Sequence, residues 1–224
     1  MKVRKEVKRR YQSTLRGAQA QSTREAVIAA AGRLFVERGY AATRLEDVAR
    51  RAGVTKGTMY LYFDSKESLF KAVVRENMVP VFERGEQLLE KHKGSARDLL
   101  AEFLRGWWQL IGESRLSGLP KLIMAEATNF PELARFYHEE VVKRGRGLFT
   151  RVIERGIASG EFRPVDVPYA LRALSFSVLF AAVWKHSIGL CADEAFDFVR
   201  FLDAHIDIAL HGLLARPGQG AARA

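Results

Sequence analysis

Residues 45–63 read Leu45-Glu-Asp-Val-Ala-Arg-Arg-Ala-Gly-Val-Thr-Lys-Gly-Thr-Met-Tyr-Leu-Tyr-Phe63. Leu45, Val48, Ala49 and Ala52 recur at the three- and four-residue spacing of a helix with one apolar face. Gly53 follows at once, and without a Cβ it takes the left-handed conformation that ends a helix. Thr55 is then placed to cap a second short helix running to about Tyr62. Two short helices joined by a Gly-containing turn have the spacing of a helix-turn-helix. Ala49 is small enough to let the second helix cross close over the first, and Val54 and Met59 can fill the space between them. Lys56, Gly57, Thr58, Tyr60 and Tyr62 fall on the outward side, where they can donate to phosphates and base edges. A small three-helix core of any function can show this pattern, so spacing alone leaves DNA binding open.

The flanks extend the pattern. Ser22-x-x-Glu25 has the form of a capping box, and Val27, Ala31, Leu34 and Phe35 then repeat on one face, which predicts a first helix from Ser22 that Gly39 stops. Thr43-x-x-Glu46 is a second box ahead of the Leu45 helix. Asp64 and Ser65, with Glu67, open a long fourth helix. Residues 1–21 carry Lys2, Arg4, Lys5, Lys8, Arg9, Arg10 and Arg16 against Glu6 alone, and read as a flexible basic arm. Residues 1–70 carry a net +8 of the chain's +10, and the remaining residues are nearly neutral. Charge gathered in one segment suggests a polyanionic partner for it, without separating nucleic acid from an anionic membrane surface.

Beyond Glu90 the apolar residues keep helical spacing, with helices predicted near 96–113, 117–127, 131–158, 166–187 and 193–214. Gly118, Pro131, Gly160, Pro168, Gly189 and Gly212 sit at or near the joints. Residues 216–224 are Gly/Ala/Arg-rich and read as a flexible tail. The fold class is therefore all-α, divided into an arm (1–21), a helix-turn-helix domain (22–68), a helical domain (69–215) and a tail (216–224). One cysteine, Cys191, excludes an intramolecular disulfide and fits a reducing cytoplasm. The charge-free apolar run from Ala173 to Trp184 is shorter than a membrane span, so no membrane partner is expected.

The longer string Gly39-Tyr40-Ala-Ala-Thr43-Arg-Leu-Glu-Asp-Val-Ala-Arg-Arg-Ala-Gly53-Val-Thr-Lys-Gly57-Thr-Met-Tyr60-Leu-Tyr-Phe63-Asp-Ser-Lys66-Glu-Ser-Leu69-Phe70 closely resembles the N-terminal domain of the TetR family. The likeness covers about residues 22–72. It implies that Thr43 caps the second helix and bonds a phosphate, and that Arg44 stands where some members reach a base. It also implies that Thr55, Lys56, Gly57 and Thr58 open the recognition helix, Tyr60 and Tyr62 bond backbone phosphates, and Lys66 clamps another. The partners implied are double-stranded operator DNA, a second copy of the chain and a small-molecule effector. A repressor is the expected sense of regulation.

The C-terminal half resembles the family only loosely. Its large apolar side chains are candidates for an effector pocket: Phe103, Trp107, Trp108, Met124, Phe136, Phe149, Phe176, Phe180 and Trp184. Aromatics at helical spacing also simply fill cores, and both readings stand at this point. His138, His186 and Glu126 could add polar contacts. Between Leu174 and Trp184 the helix is apolar nearly all round, more than one face of a monomer buries. Dimerisation is thus expected through the last two helices, using Leu171, Leu174, Val178, Phe180 and Ala181 with Val199, Leu202, Ile206 and Leu213. The five histidines show no metal spacing, and neither a Gly-x-Ser-x-Gly nor a phosphate-binding Gly loop occurs. No metal, cofactor or enzymatic activity is expected. The rival readings are a DNA binder without a ligand, and a helical small-molecule or lipid carrier or enzyme without DNA binding.

Overall fold

The computed structural model describes residues 2–114, 117–193 and 195–215. Ten α-helices account for most of it: α1 (Lys2–Arg38), α2 (Leu45–Ala52), α3 (Lys56–Tyr60), α4 (Lys66–Lys91), α5 (Ala96–Trp107), α6 (Leu119–Glu126), α7 (Pro131–Tyr137), α8 (Lys143–Ala158), α9 (Val167–Lys185) and α10 (Phe198–Leu213). Single π-turns follow α5 (Trp108–Gly112) and α7 (His138–Val142), and a 3₁₀ turn spans Ile188–Cys191. The only extended pairing among the described residues is an isolated antiparallel bridge, Phe162 to Leu214. The chain forms two compact units, residues 1–75 and 76–224.

In the N-terminal unit, α1, α2, α3 and the start of α4 close a small core. Val27, Ala31, Leu34 and Phe35 of α1 meet Val48 and Ala49 of α2, Met59 of α3, and Leu69, Phe70 and Val73 of α4, all buried. The rings of Phe35, Tyr40 and Phe70 lie 5.5–5.6 Å apart in a mutual cluster, two of the three contacts edge-on. Gly53 has φ +70°, and its N–H returns to the carbonyls of Ala49 and Arg50, which ends α2 as expected. An Arg51–Glu37 pair, with one contact of 2.8 Å, ties α2 to α1.

One boundary differs. The first helix begins at Lys2 rather than Ser22, so the segment read as a flexible arm is a helical extension of α1. Residues 2–21 consist mostly of Lys, Arg, Gln, Ala and Glu, all good helix formers, with no proline. Ser22 and Glu25 therefore lie inside a helix, where Glu25 accepts from Gln21 at 2.7 Å instead of closing a capping box. The tail at 216–224 lies outside the described residues.

The C-terminal unit follows the predicted boundaries closely. The two π-turns continue their helices, so 96–112 and 131–158 each run as one rod. Its core takes Leu99, Leu100 and Leu104 from α5, Leu122 from α6, Val152 and Ile153 from α8, Leu174 and Val178 from α9, and Leu202, Ile206 and Leu210 from α10. Ser95 and Asp166 cap α5 and α9, and Asp197 caps α10 through the N–H groups of Val199 and Arg200. Gly156 is required by packing: a Cβ there would lie 2.2 Å from the fully buried Phe162 ring. By length and composition α9 is long and apolar enough to cross a membrane. The charge-free run from Ala173 to Trp184 understates that helix, because only Arg172 interrupts it. Cys191 is exposed.

Candidate DNA-binding surface and ligand cavity

The turn between α2 and α3 sets the geometry of the N-terminal surface. Thr55 caps α3, its hydroxyl oxygen accepting from the Thr58 N–H at 3.1 Å and lying 2.8 Å from the Thr58 hydroxyl. Met59 is fully buried and anchors the helix, so its neighbours must face out. Arg44, Thr55, Lys56, Gly57 and Tyr60 are exposed, and Thr58 and Tyr62 are half-buried. Gly57 leaves the middle of this face without a side chain, which lets the α3 backbone approach another surface closely. These seven of the nine residues expected at DNA are thus at least partly accessible around the α2–α3 turn.

One expected phosphate contact, Thr43, is corrected, and Lys66 has bonds within the protein. Thr43 is buried; its hydroxyl donates to the carbonyls of Gly39 at 2.7 Å and Leu34 at 3.3 Å. It ties the end of α1 to the start of α2, and the N-cap of α2 is Arg44, which makes no side-chain capping bond. Lys66 points its ammonium at the carbonyls of Tyr40 (2.8 Å) and Ala41 (3.1 Å) and sits 4.5 Å from the Tyr40 ring centre. Thr43 ties the α1–α2 turn from the inside and the half-buried Lys66 ties it from nearer the surface, so each helps to hold the head together.

Lys56 is paired as well. Its ammonium bonds the Glu46 carboxylate of α2, holding that carboxyl below the usual carboxylate range, and the same bond raises Lys56. Both groups are exposed, and the ammonium also lies 5.8 Å from the Tyr60 ring. Leu61, 82% exposed, stands next to Tyr60 and was not singled out from the sequence. A large aliphatic group left in water beside a row of donors is a surface feature that only the burial pattern reveals.

The C-terminal unit holds a partly open cavity of about 1140 Å³, somewhat larger than the roughly 300–1,000 Å³ usual for small-molecule sites. Phe103 and Trp107 of α5, Met124 of α6, Phe149 of α8 and Phe176 of α9 line it, as does His138. Phe149 meets Phe103 at 5.3 Å and Trp107 at 5.9 Å, both edge-on. Tyr137 also lines it and was missed from the sequence; burial pushes its phenol up to about 12, so it stays a neutral hydroxyl.

Four of the nine apolar side chains expected at the ligand, and two of the three polar ones, lie elsewhere. Trp108 is buried against Phe198 (5.2 Å, stacked) and borders only a narrow crevice. Phe136 is not on the cavity wall, and neither is Glu126. On α9 the wall is made by Leu171, Arg172, Leu174, Ser175, Phe176 and Leu179; at about 100° per residue, Phe180 and Trp184 turn away from it. Phe180 is 60% exposed and lies 6.3 Å from Trp184. His186 instead bonds the buried Ser117 at 2.6 Å.

Comparison with known proteins agrees with both units. Residues 27–73 match the model of the bacterial regulatory proteins of the tetR family, and residues 91–200 match the tetracyclin repressor-like C-terminal domain. The HTH-type transcriptional repressor KstR2 of Rhodococcus jostii is 30% identical over 156 residues, 69% of this chain and 75% of that protein. The fatty acid metabolism regulator protein of Bacillus subtilis is 27% identical over 189 residues, 84% of this chain and 93% of that protein. The crystal structure of FadR from Bacillus subtilis in complex with stearoyl-CoA shares the fold, with a TM-score of 0.67 at 24% identity, covering 84% of this chain and 98% of that one. Such relatives are regulators, and the reading as a carrier or enzyme is not favoured. The chain belongs to the TetR family of bacterial regulatory proteins and is a DNA-binding transcriptional repressor.

Proposed function

We propose that the chain acts in the cytoplasm as a homodimer that holds operator DNA with two α3 helices in successive major grooves, roughly 34–36 Å apart. The observation that carries this is the face formed by Arg44, Thr55, Lys56, Gly57, Thr58, Tyr60 and Tyr62 around the buried anchor Met59. Lys56 and the tyrosines position the protein on phosphates, while Arg44 and Thr58 are the groups able to reach base edges.

The dimer is proposed through α9 and α10, but of the side chains read off the sequence only Phe180 and Val199 are exposed enough to take part. Leu171, Leu174, Val178, Ala181, Leu202, Ile206 and Leu213 are buried within the subunit. The surplus apolar surface belongs to Tyr169, Phe176 and Phe180 of α9, and to Val199 and Ile208 of α10, each at least 60% exposed. Pairing these helices around a two-fold axis would remove that surface from water.

The cavity lined by Phe103, Trp107, Met124, Phe149 and Phe176 is the proposed effector site, taking a ligand with a large apolar body. The stearoyl-CoA complex of the Bacillus subtilis neighbour supports a ligand of that bulk. α4 contributes Leu69 and Phe70 to the core of the head and Val81, Phe82 and Leu88 to the cavity wall, which makes it the proposed link. A ligand loosens DNA only by as much as it prefers the cavity shape of the DNA-free state.

A gel shift with the duplex flanking the protein's own gene tests this, repeated with a panel of apolar compounds. A retarded band that a compound abolishes supports the proposal. Binding indifferent to every compound would leave a DNA binder without an effector, and a monomer at micromolar concentration in light scattering would refute the dimer.

A further inference from the structure

We infer that the ligand of the C-terminal cavity is an amphipathic anion, an apolar body ending in a carboxylate or phosphate group, and that Arg84 and Arg146 receive its charged end. This rests on the cavity being the effector site. The charged residues on the wall are Arg84, Arg105, Arg146 and Arg172 against Asp98 and Glu102, an excess of two positive charges. Four of the six are already engaged. Arg105 donates to Asp203 at 3.0 Å. Arg172 donates to the Pro168 carbonyl at 3.0 Å and lies over the Tyr169 ring. Asp98 accepts from the Ser95 hydroxyl at 2.7 Å, and Glu102 contacts His92 at 3.2 Å. Among the described residues nothing pairs with Arg84 or Arg146.

These two sit where α4 and α8 come together. A Cβ on Gly85 would lie 2.8 Å from Leu148, and one on Gly145 would lie 3.8 Å from Phe82. Arg84 adjoins the first glycine and Arg146 the second, so the two arginines flank one helix crossing on the wall of one cavity. A guanidinium offers a planar fork of donors that matches carboxylate and phosphate oxygens, and uncompensated positive charge disfavours a lipophilic cation. Phe82, Phe103, Trp107, Leu148, Phe149 and Phe176 line the same cavity. Exposed positive charge and apolar surface on one wall are the two halves of an amphipathic anion's binding site.

The test uses the intact protein, titrated by calorimetry with lauric acid, lauroyl-CoA, lauryl alcohol and laurylamine, alongside DNA release by each. The acid or the thioester should bind at least about tenfold tighter than the alcohol, as expected for one charge-assisted hydrogen bond, and the amine weaker than the alcohol. Which of the first two wins separates a carboxylate head from a phosphate-bearing one. In the double variant Arg84→Gln, Arg146→Gln the anion's advantage should vanish while the alcohol binds as before. Restoring charge with Arg84→Lys, Arg146→Lys should recover part of it. An alcohol that binds and releases DNA as well as the anions overturns the inference and leaves the cavity an effector site. Anion binding unchanged in the glutamine variant overturns it too. If none of the four binds, both the inference and the assignment of the cavity fall.

Discussion

Replacing Glu46 by glutamine should tighten the grip on DNA, although Glu46 need not touch DNA. In the free protein the Lys56 ammonium is held by the Glu46 carboxylate, both exposed at the α2–α3 surface. That pairing keeps a phosphate-binding cation partly neutralised and places a negative charge beside the phosphates. Glutamine keeps the size and loses the charge, while Asp47 still supplies an acidic group in the first turn of α2. If Lys56 then engages one more phosphate, the plot of log affinity against log salt should steepen by about 0.9 per subunit. Between about 50 and 200 mM salt, that makes the variant's affinity fall roughly threefold further than the wild type's per subunit, and about tenfold further for a dimer. Fluorescence anisotropy with a labelled operator duplex across a salt series reads both slopes. Because the term comes from phosphates, affinity for random duplex should rise in the same way, and specificity should drop. Superimposable slopes for wild type and Glu46→Gln would show that Lys56 meets no phosphate and would overturn the reasoning.

Three further outcomes are expected. Thr43→Val should cost about 1–2 kcal/mol of stability in denaturant unfolding, since it deletes a buried hydroxyl bonded to two carbonyls. The folded fraction should bind DNA unchanged; weakened binding at full stability would restore Thr43 as a phosphate contact. Gly156→Ala pushes a methyl into the buried Phe162 ring, and the overpacking of about 1–3 kcal/mol should outweigh the roughly 1 kcal/mol that alanine gains in a helix. A rise in melting temperature would contradict that contact. Phe180→Glu places a charge on the exposed apolar face of α9 and should shift light scattering toward the monomer with helicity intact; an undisturbed dimer would move the interface elsewhere.

The head was legible because its signals are local. Gly53 ends α2, Thr55 caps α3, and the spacing of Val48, Ala49 and Met59 fixes which faces turn inward. Sequence gives residue type but not direction, so Thr43 reads as a phosphate donor although folding buries its hydroxyl against backbone carbonyls, and no spacing shows that Lys66 bonds the carbonyls of Tyr40 and Ala41. Helix α9 shows the same limit in another form. It is apolar around its circumference, so no periodicity separates Phe176 on the cavity wall from Phe180 and Trp184 off it. Arg84 and Arg146 gave no signal at all, because being unpaired is a property of tertiary neighbours. At the N-terminus a supposed capping box at Ser22 was outweighed by a run of helix formers upstream.

The most direct test of the central claim is a hydroxyl-radical footprint on the duplex flanking the gene, with wild type and with Lys56→Ala/Thr58→Ala. The wild type should protect two patches on one face of the duplex, about one helical turn apart or a multiple of it, and the variant should lose both together. Protection that persists in the variant with its pattern unaltered would place the contact outside α3 and contradict the account.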